Sequence, residues 1–393
     1  MTRKALTFRW PVGRVENPAI GIGRFWRPFL LFTYLMATVQ VAGCYFTLVR
    51  PYINTSLYED GKERLPFQTR ILMMPLMRWA HHSEWAAGTA SFLKHSRFWY
   101  LRPAEPEAIV QLWVNIASLL IAGWVAHRIY RAASAASSGP SGFLAPFVYP
   151  LFLLLCTVQY ILHTIQNFRF IYDLPGMAFF AVGLYLIYFR KHPTLFMALF
   201  MVGTLNRETT LLLLPFYMLS AAVGDKRLTL PAGRFVWRRA FSPAVLGMVI
   251  PLCGLWVGWH FYIFHVFKHN VSEYYPRVSL NLYTLYHPRY WPQLLSAGGY
   301  ILPFLLLFRR RIADPQLRVW IWALPVWLGF MFFWGILVET RVFGELIPYL
   351  TCVAVLVAED RIANHVRSQI GDDNDVAISE LAFETEVAEE AAA

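Results

Sequence analysis

Charge is the scarcest ingredient of this 393-residue chain: Asp, Glu, Lys and Arg make up 15% of it, against 57% hydrophobic residues. That balance excludes an ordinary soluble domain. Cysteine is scarce too. The four, Cys44, Cys156, Cys253 and Cys352, lie in or beside apolar runs with no paired spacing, which excludes a disulfide framework or a cysteine zinc site and leaves core thiols. No cleavable signal peptide is legible, because Arg3, Lys4, Arg9 and Arg14 make the stretch before the first apolar run too long and too polar. The first span is therefore expected to serve as an uncleaved anchor. Nor does the net charge of +11 point to nucleic acid, since the basic residues sit in short clusters between apolar runs, as cytoplasmic loops require.

What is there is a series of apolar runs close to the roughly 20 residues that span a hydrocarbon core. The expected fold is all-α: a polytopic transmembrane helical bundle of about ten membrane segments over residues 28–358, with both termini cytoplasmic and a bacterial inner membrane as its home. Residues 1–27 form a basic cytoplasmic N-terminus, and 359–393 an acidic cytoplasmic tail that is expected to be disordered. The first outer loop, 51–108, holds Pro66 ahead of mixed apolar and basic residues, a pattern for an interfacial helix. Further spans are expected at 109–126, 143–165, 173–189, 243–267, 294–308, 319–338 and 346–358. The segment 195–223 is longer than one span needs and has basic clusters at both ends. Two short helices meeting at an outward apex, Asn206 to Glu208, satisfy both facts.

Charge inside such hydrocarbon costs about 2.5 to 3.5 kcal/mol per group, so it usually faces a bundle interior or a water-filled cavity. The topology gathers Glu59, Asp60, Arg70, His163, Arg169, Asp173, Asn206, Arg207, Glu208, Glu339, Arg341 and Glu345 on the outer side. Arginines and carboxylates in one cavity suit an anionic substrate, because a guanidinium grips phosphate in a bidentate fork and a carboxylate takes a proton or a metal. Structural readings stand beside this one. Asp173, ahead of Pro175, also reads as an N-cap. Arg341 and Glu345 stand at helical i, i+4 spacing and also read as an ion pair. Arg207 and Glu208 are adjacent, point apart on a helix and cannot simply pair. His163 also reads as a packed histidine, having no second ligand at metal spacing.

Four features carry a resemblance: YED at 58–60 in the first outer loop, the interfacial helix behind it, YDLPGMAFFAVGLYLIYFRK at 172–191, and GTLNRETTLLLLP at 203–215. Together they resemble the GT-C superfamily, polytopic glycosyltransferases that use polyprenyl-phosphate-linked sugars and include the protein O-mannosyltransferases and the lipid A aminoarabinose transferases. The resemblance covers roughly the first half of the chain. It implies a sugar transferase whose partners are a polyprenyl-phosphate-linked sugar, a glycan, lipid or protein acceptor, and membrane lipids. Under it, Asp60 or Glu59 matches the acidic general base or metal ligand, Asp173 the second acidic position, and Arg207 stands where the family has a lysine. Arg70, Arg169, Asn206, Glu208, Glu339, Arg341 and Glu345 would complete the substrate site. A divalent cation, Mg or Mn, is compatible, although no spacing requires one. Two other functions fit the same residues: a polymerase or ligase joining lipid-linked glycans, and a transporter or flippase. Against transport, only one interrupted span is legible, where secondary transporters repeat theirs in two halves.

Overall fold

Apolar runs fold as helices because backbone N–H and C=O groups in hydrocarbon find partners only within their own segment. The computed structural model describes residues 22–96, 105–135, 142–162, 168–223, 235–366 and 368–369. The N-terminus through residue 21, His163, the tail beyond residue 369 and most of the basic loop after residue 223 lie outside the described residues.

The chain begins with α1 (Ile22–Leu48). The loop after α1 then carries α2 (Thr55–Glu59), α3 (Met74–His81) and α4 (Glu84–Lys94). Next come α5 (Pro106–Ala135), α6 (Ala145–Tyr160), α7 (Asp173–Tyr188), α8 (Pro193–Asn206) and α9 (Leu213–Val223). After α10 (Trp237–Ala240) and α11 (Pro243–Val266) follow three short helices, α12 (Val278–Tyr286), α13 (Trp291–Leu295) and α14 (Ile301–Leu307). The pair α15 (Pro315–Trp320) and α16 (Ala323–Trp334) leads to α17, which opens with a 3-10 turn and runs over Thr340–Val366.

Five stretches are long and apolar enough to cross a membrane: Trp26–Leu48, Pro106–Ala135, Pro243–Val266, Pro315–Trp334 and Thr340–Val366. This is an all-α membrane protein. Four more apolar helices, α6, α7, α8 and Glu208–Val223, are shorter, at 10–17 residues. Burial separates centre from rim. The α17 span is 89% buried and that of α5 67%, whereas α11 is 17% buried and turns Ile250, Leu255 and Phe261 outward, as a lipid-facing helix should. Aromatic rings lock the centre. Phe180 meets Trp327 edge-on at 5.2 Å and Phe216 at 5.7 Å, and Phe216 meets Trp320 at 5.5 Å, which ties α7 to α9, α15 and α16.

Two expectations are corrected here. The helix expected to start at Pro66 does not: short 3-10 turns fill 67–73, and the α-helix begins at Met74 with Pro75 in its first turn. The expected span 294–308 is broken between α13 and α14. Gly298, Gly299 and Tyr300 have φ of 66°, 70° and 64°, and three successive left-handed residues cannot continue a right-handed helix. A Cβ on Gly298 would also lie 2.6 Å from Leu350 Cδ1.

Far from the apex, Glu359 fastens α17 to its neighbours. Its Oε2 accepts from Tyr130 Oη at 2.9 Å and Ser134 Oγ at 2.8 Å, and its Oε1 from the backbone N–H groups of Gly142 at 2.6 Å and Phe143 at 3.1 Å. Glu359→Ala removes one acceptor group shared by four donors. It is expected to cost about 2–4 kcal/mol, several times the net worth of one hydrogen bond. Thermal unfolding in detergent checks this, with Glu359→Gln falling between wild type and alanine.

Candidate functional site

The site is built at the start of α7. A two-residue parallel pairing, β1 (Arg50–Pro51) with β2 (Phe168–Arg169), lays the chain after α1 beside the entry to α7. The pairing brings Tyr52, Phe67 and Phe170 into ring contact at 5.2–5.4 Å. Asp173 follows as the first residue of α7, fully buried. The N-cap reading does not hold: Tyr172 takes the cap position, and the Asp173 carboxylate serves side chains instead. Its Oδ1 lies 3.3 Å from Arg207 Nη1 and 3.4 Å from Arg341 Nη1, and its Oδ2 accepts from Tyr45 Oη at 3.3 Å. One oxygen thus links two guanidiniums.

The apex explains how Arg207 reaches that oxygen. The α8 helix stops at Asn206, whose amide donates to Tyr172 O at 3.1 Å, and Arg207 is extended (φ −161°, ψ 143°) before a 3-10 turn over Glu208–Leu212. Extended backbone at the break sends Arg207 and Glu208 opposite ways. Arg207 Nη1 meets Glu345 Oε1 at 3.2 Å, and Glu345 also accepts from Thr209 Oγ1 at 2.6 Å. Glu208 takes the fork of Arg70, with Nε at 3.1 Å from Oε1 and Nη2 at 3.0 Å from Oε2. Gly176 lets α7 come this close, since a Cβ there would stand 3.1 Å from Glu345 Oε1 and 3.3 Å from Arg207 Cδ.

The i, i+4 pair of Arg341 and Glu345 does not form. Residues 340–346 are a 3-10 turn, whose tighter winding takes positions four apart off a common face, so Arg341 binds Glu339 and Asp173 while Glu345 binds Arg207. Arg341 stacks 3.9 Å from the Phe170 ring centre, and Arg70 lies 4.3 Å from that of Tyr172. The Nε groups of Arg207 and Arg341 are buried with no hydrogen-bond acceptor.

These side chains open onto a cavity of about 400 Å³. Arg70, Arg207, Glu208, Glu339 and Arg341 line it, and so do residues that the sequence did not single out: Trp256, Glu273, Tyr274, Tyr275, Arg277 and Trp334. The segment after α11 reaches the cavity through backbone pairing with the loop between α2 and α3. Leu65 N–H donates to Val271 O at 2.9 Å, and Glu273 N–H donates to Leu65 O at 2.8 Å. Glu273 is then held by Arg64 Nη1 at 2.5 Å and Tyr52 Oη at 3.1 Å. Asn270 fixes the same junction, its amide donating to Gly61 O at 2.9 Å and Glu63 O at 2.8 Å. Each cavity carboxylate already faces a guanidinium, so the cavity suits an anion better than a metal ion.

Three expected residues stand apart from this cluster. Asp60 caps the C-terminus of α2 with its side chain 60% exposed and pairs with Lys62 at 3.1 Å. Glu59 turns to His81 and Glu107. Arg169 donates to Phe46 O, and its guanidinium lies 3.6 Å from the Phe46 ring centre; burial pulls its pKa down. Burial and the neighbouring Glu107 charge push the Glu59 carboxyl up, while the hydrogen bond and charge of Glu107 raise the His81 imidazole. Compared with protein-family models, curated proteins and solved structures, the chain matches none of them.

Proposed function

We propose that this chain is a membrane glycosyltransferase of the GT-C type, which moves a sugar from a polyprenyl-phosphate donor to an acceptor at the outer face of a bacterial inner membrane. One observation carries the reading: Arg70, Arg207 and Arg341 line a single cavity together with a separately held carboxylate, Glu273. The short motifs at YDLPG and LNRETT support it, as does the placement of the basic clusters; YED does not, since Glu59 and Asp60 stand apart from the cavity. With about ten membrane segments, the one at 294–308 broken at residues 298–300, and both termini cytoplasmic, that placement turns the apex outward.

In this reading the donor phosphate sits among Arg70, Arg207 and Arg341, and the polyprenyl chain leaves the cavity past the apolar faces of α11 and α16. Trp256, Tyr274 and Trp334 offer flat surfaces to the sugar. Glu273 takes the proton of the acceptor hydroxyl as its oxygen bonds to the anomeric carbon. The bond from that carbon to the phosphate oxygen breaks, and the guanidiniums hold the charge of the departing polyprenyl phosphate. Asp173 and Glu345 lie behind and position Arg207 and Arg341. The acceptor is a glycan, a lipid or a protein, and no step needs a nucleic acid.

Reconstituted protein supplied with lipid-linked sugars from membranes tests the reading by mass spectrometry. Polyprenyl phosphate should be released in step with acceptor modification, and Glu273→Gln should abolish both. Asp60→Ala is expected to stay within about twofold of wild type, as exposed positions usually do. Substrate counterflow across liposomes with no bond cleaved would make the protein a transporter and overturn the proposal.

A further inference from the structure

A second cluster lies in the first outer loop, outside the cavity. Glu59 at the end of α2, His81 at the end of α3 and Glu107 in the first turn of α5 offer ligand atoms that all lie within 4.8 Å of one another. Among the described residues no other three His, Cys, Asp or Glu side chains meet in this way. His81 Nδ1 faces both carboxylates, in contact with Glu107 Oε1 and 3.7 Å from Glu59 Oε2. The side chains of Glu59 and Glu107 are 11% and 10% exposed, and that of His81 is 55% exposed. Two nearly buried carboxylates therefore share one imidazole at the edge of solvent.

The polar groups do not balance among themselves. Glu59 Oε1 is buried and has no hydrogen-bond partner. The nearest guanidinium does not supply one, because Arg78 donates through Nε to the Glu59 backbone oxygen at 2.6 Å rather than to the carboxylate. Two carboxylates with a neutral imidazole carry two negative charges, which one divalent cation neutralises. The donor set is one nitrogen and two oxygens, with an open side where water completes the coordination. That set suits zinc-like ions better than Mg, which prefers oxygen alone and keeps most of its water. Ligand atoms around tetrahedral zinc stand about 3.4 Å apart for bonds of about 2.1 Å, so small side-chain rotations close the observed cluster onto an ion.

We infer that Glu59, His81 and Glu107 form a binding site for a zinc-like divalent cation that pins the first outer loop to the start of α5. The consequence reaches the cavity through the chain, because Arg70 lies between the two pinned helices α2 and α3 and holds Glu208. The ion is structural. It touches no cavity residue, and its presence does not depend on the transfer reaction.

The test uses the full chain, purified without a histidine tag and held in nanodiscs. Elemental analysis after dialysis against micromolar Zn²⁺ should find about one ion per chain, and EDTA should lower the thermal unfolding midpoint. In the Glu59→Gln/Glu107→Gln variant the ion should be lost and the midpoint should no longer respond to EDTA. His81→Ala gives a second reading of the same loss. Absence of bound zinc in the wild-type protein, or equal zinc content in the Gln variant, would overturn the inference and leave His81 as a protonated bridge between two carboxylates.

Discussion

Arg207→Ala is expected to abolish transfer and to destabilise the protein by about 3–5 kcal/mol, the usual result of stripping one partner from a buried ion cluster. Arg207 is 4% exposed, and the carboxylates it serves, Asp173 and Glu345, are 0% and 1% exposed. Without the guanidinium, Glu345 keeps only the Thr209 hydroxyl among the contacts described above, and Asp173 must rely on Arg341 and Tyr45. Buried negative charge would then outweigh the positive charge left beside it, and the apex would have to move. A companion variant separates stability from chemistry: Arg207→Met with Glu345→Gln removes a positive and a negative charge together. Replacing a buried pair by neutral groups is often nearly cost-free, so the double variant should recover most of the lost stability while transfer stays absent. Thermal unfolding together with polyprenyl phosphate release checks both halves. If Arg207→Ala transferred sugar normally, the apex would have no part in binding the donor.

The apex was legible because a charge in an apolar run is conspicuous whatever the fold around it. Asp173, Arg207, Glu208, Arg341 and Glu345 all declare themselves in this way, and the structure brings them to one place. How they pair was not legible. The spacing of Arg341 and Glu345 suggests an α-helical pair, and only the 3-10 winding of residues 340–346 sends them to different partners. Glu59 and Asp60 are equivalent acids in sequence. Which one turns inward is decided by where α2 ends, a matter of one residue. Glu273 was invisible for another reason: in SEYYPR a carboxylate among tyrosines is ordinary loop chemistry. Its position at the cavity depends on Leu65 pairing with Val271 and Glu273, a contact between distant segments that no local pattern announces. The broken segment between α13 and α14 was misread because its composition is that of a span, and the break rests on the backbone angles of Gly298, Gly299 and Tyr300.

Arg341→Lys probes what charge alone can do at this site. Lysine keeps the positive charge but has neither the planar face that lies 3.9 Å from the Phe170 ring centre nor the fork that reaches Glu339 and Asp173 at once. If the guanidinium holds charge developing on the phosphate, its loss should appear chiefly in kcat, by about 10²- to 10³-fold, as for removal of one preorganised donor. The KM for the lipid-linked sugar should change much less, since ground-state attraction survives with the charge. Stability should fall less than in Arg207→Ala, because an ammonium still faces Asp173. Steady-state transfer by the reconstituted variant distinguishes the cases. Retention of about a tenth or more of wild-type kcat, a loss of at most about 1.4 kcal/mol in the barrier, would mean that a point charge suffices and that the fork geometry serves packing. A loss confined to KM would instead make Arg341 a docking contact, leaving Arg70 and Arg207 to carry the leaving phosphate.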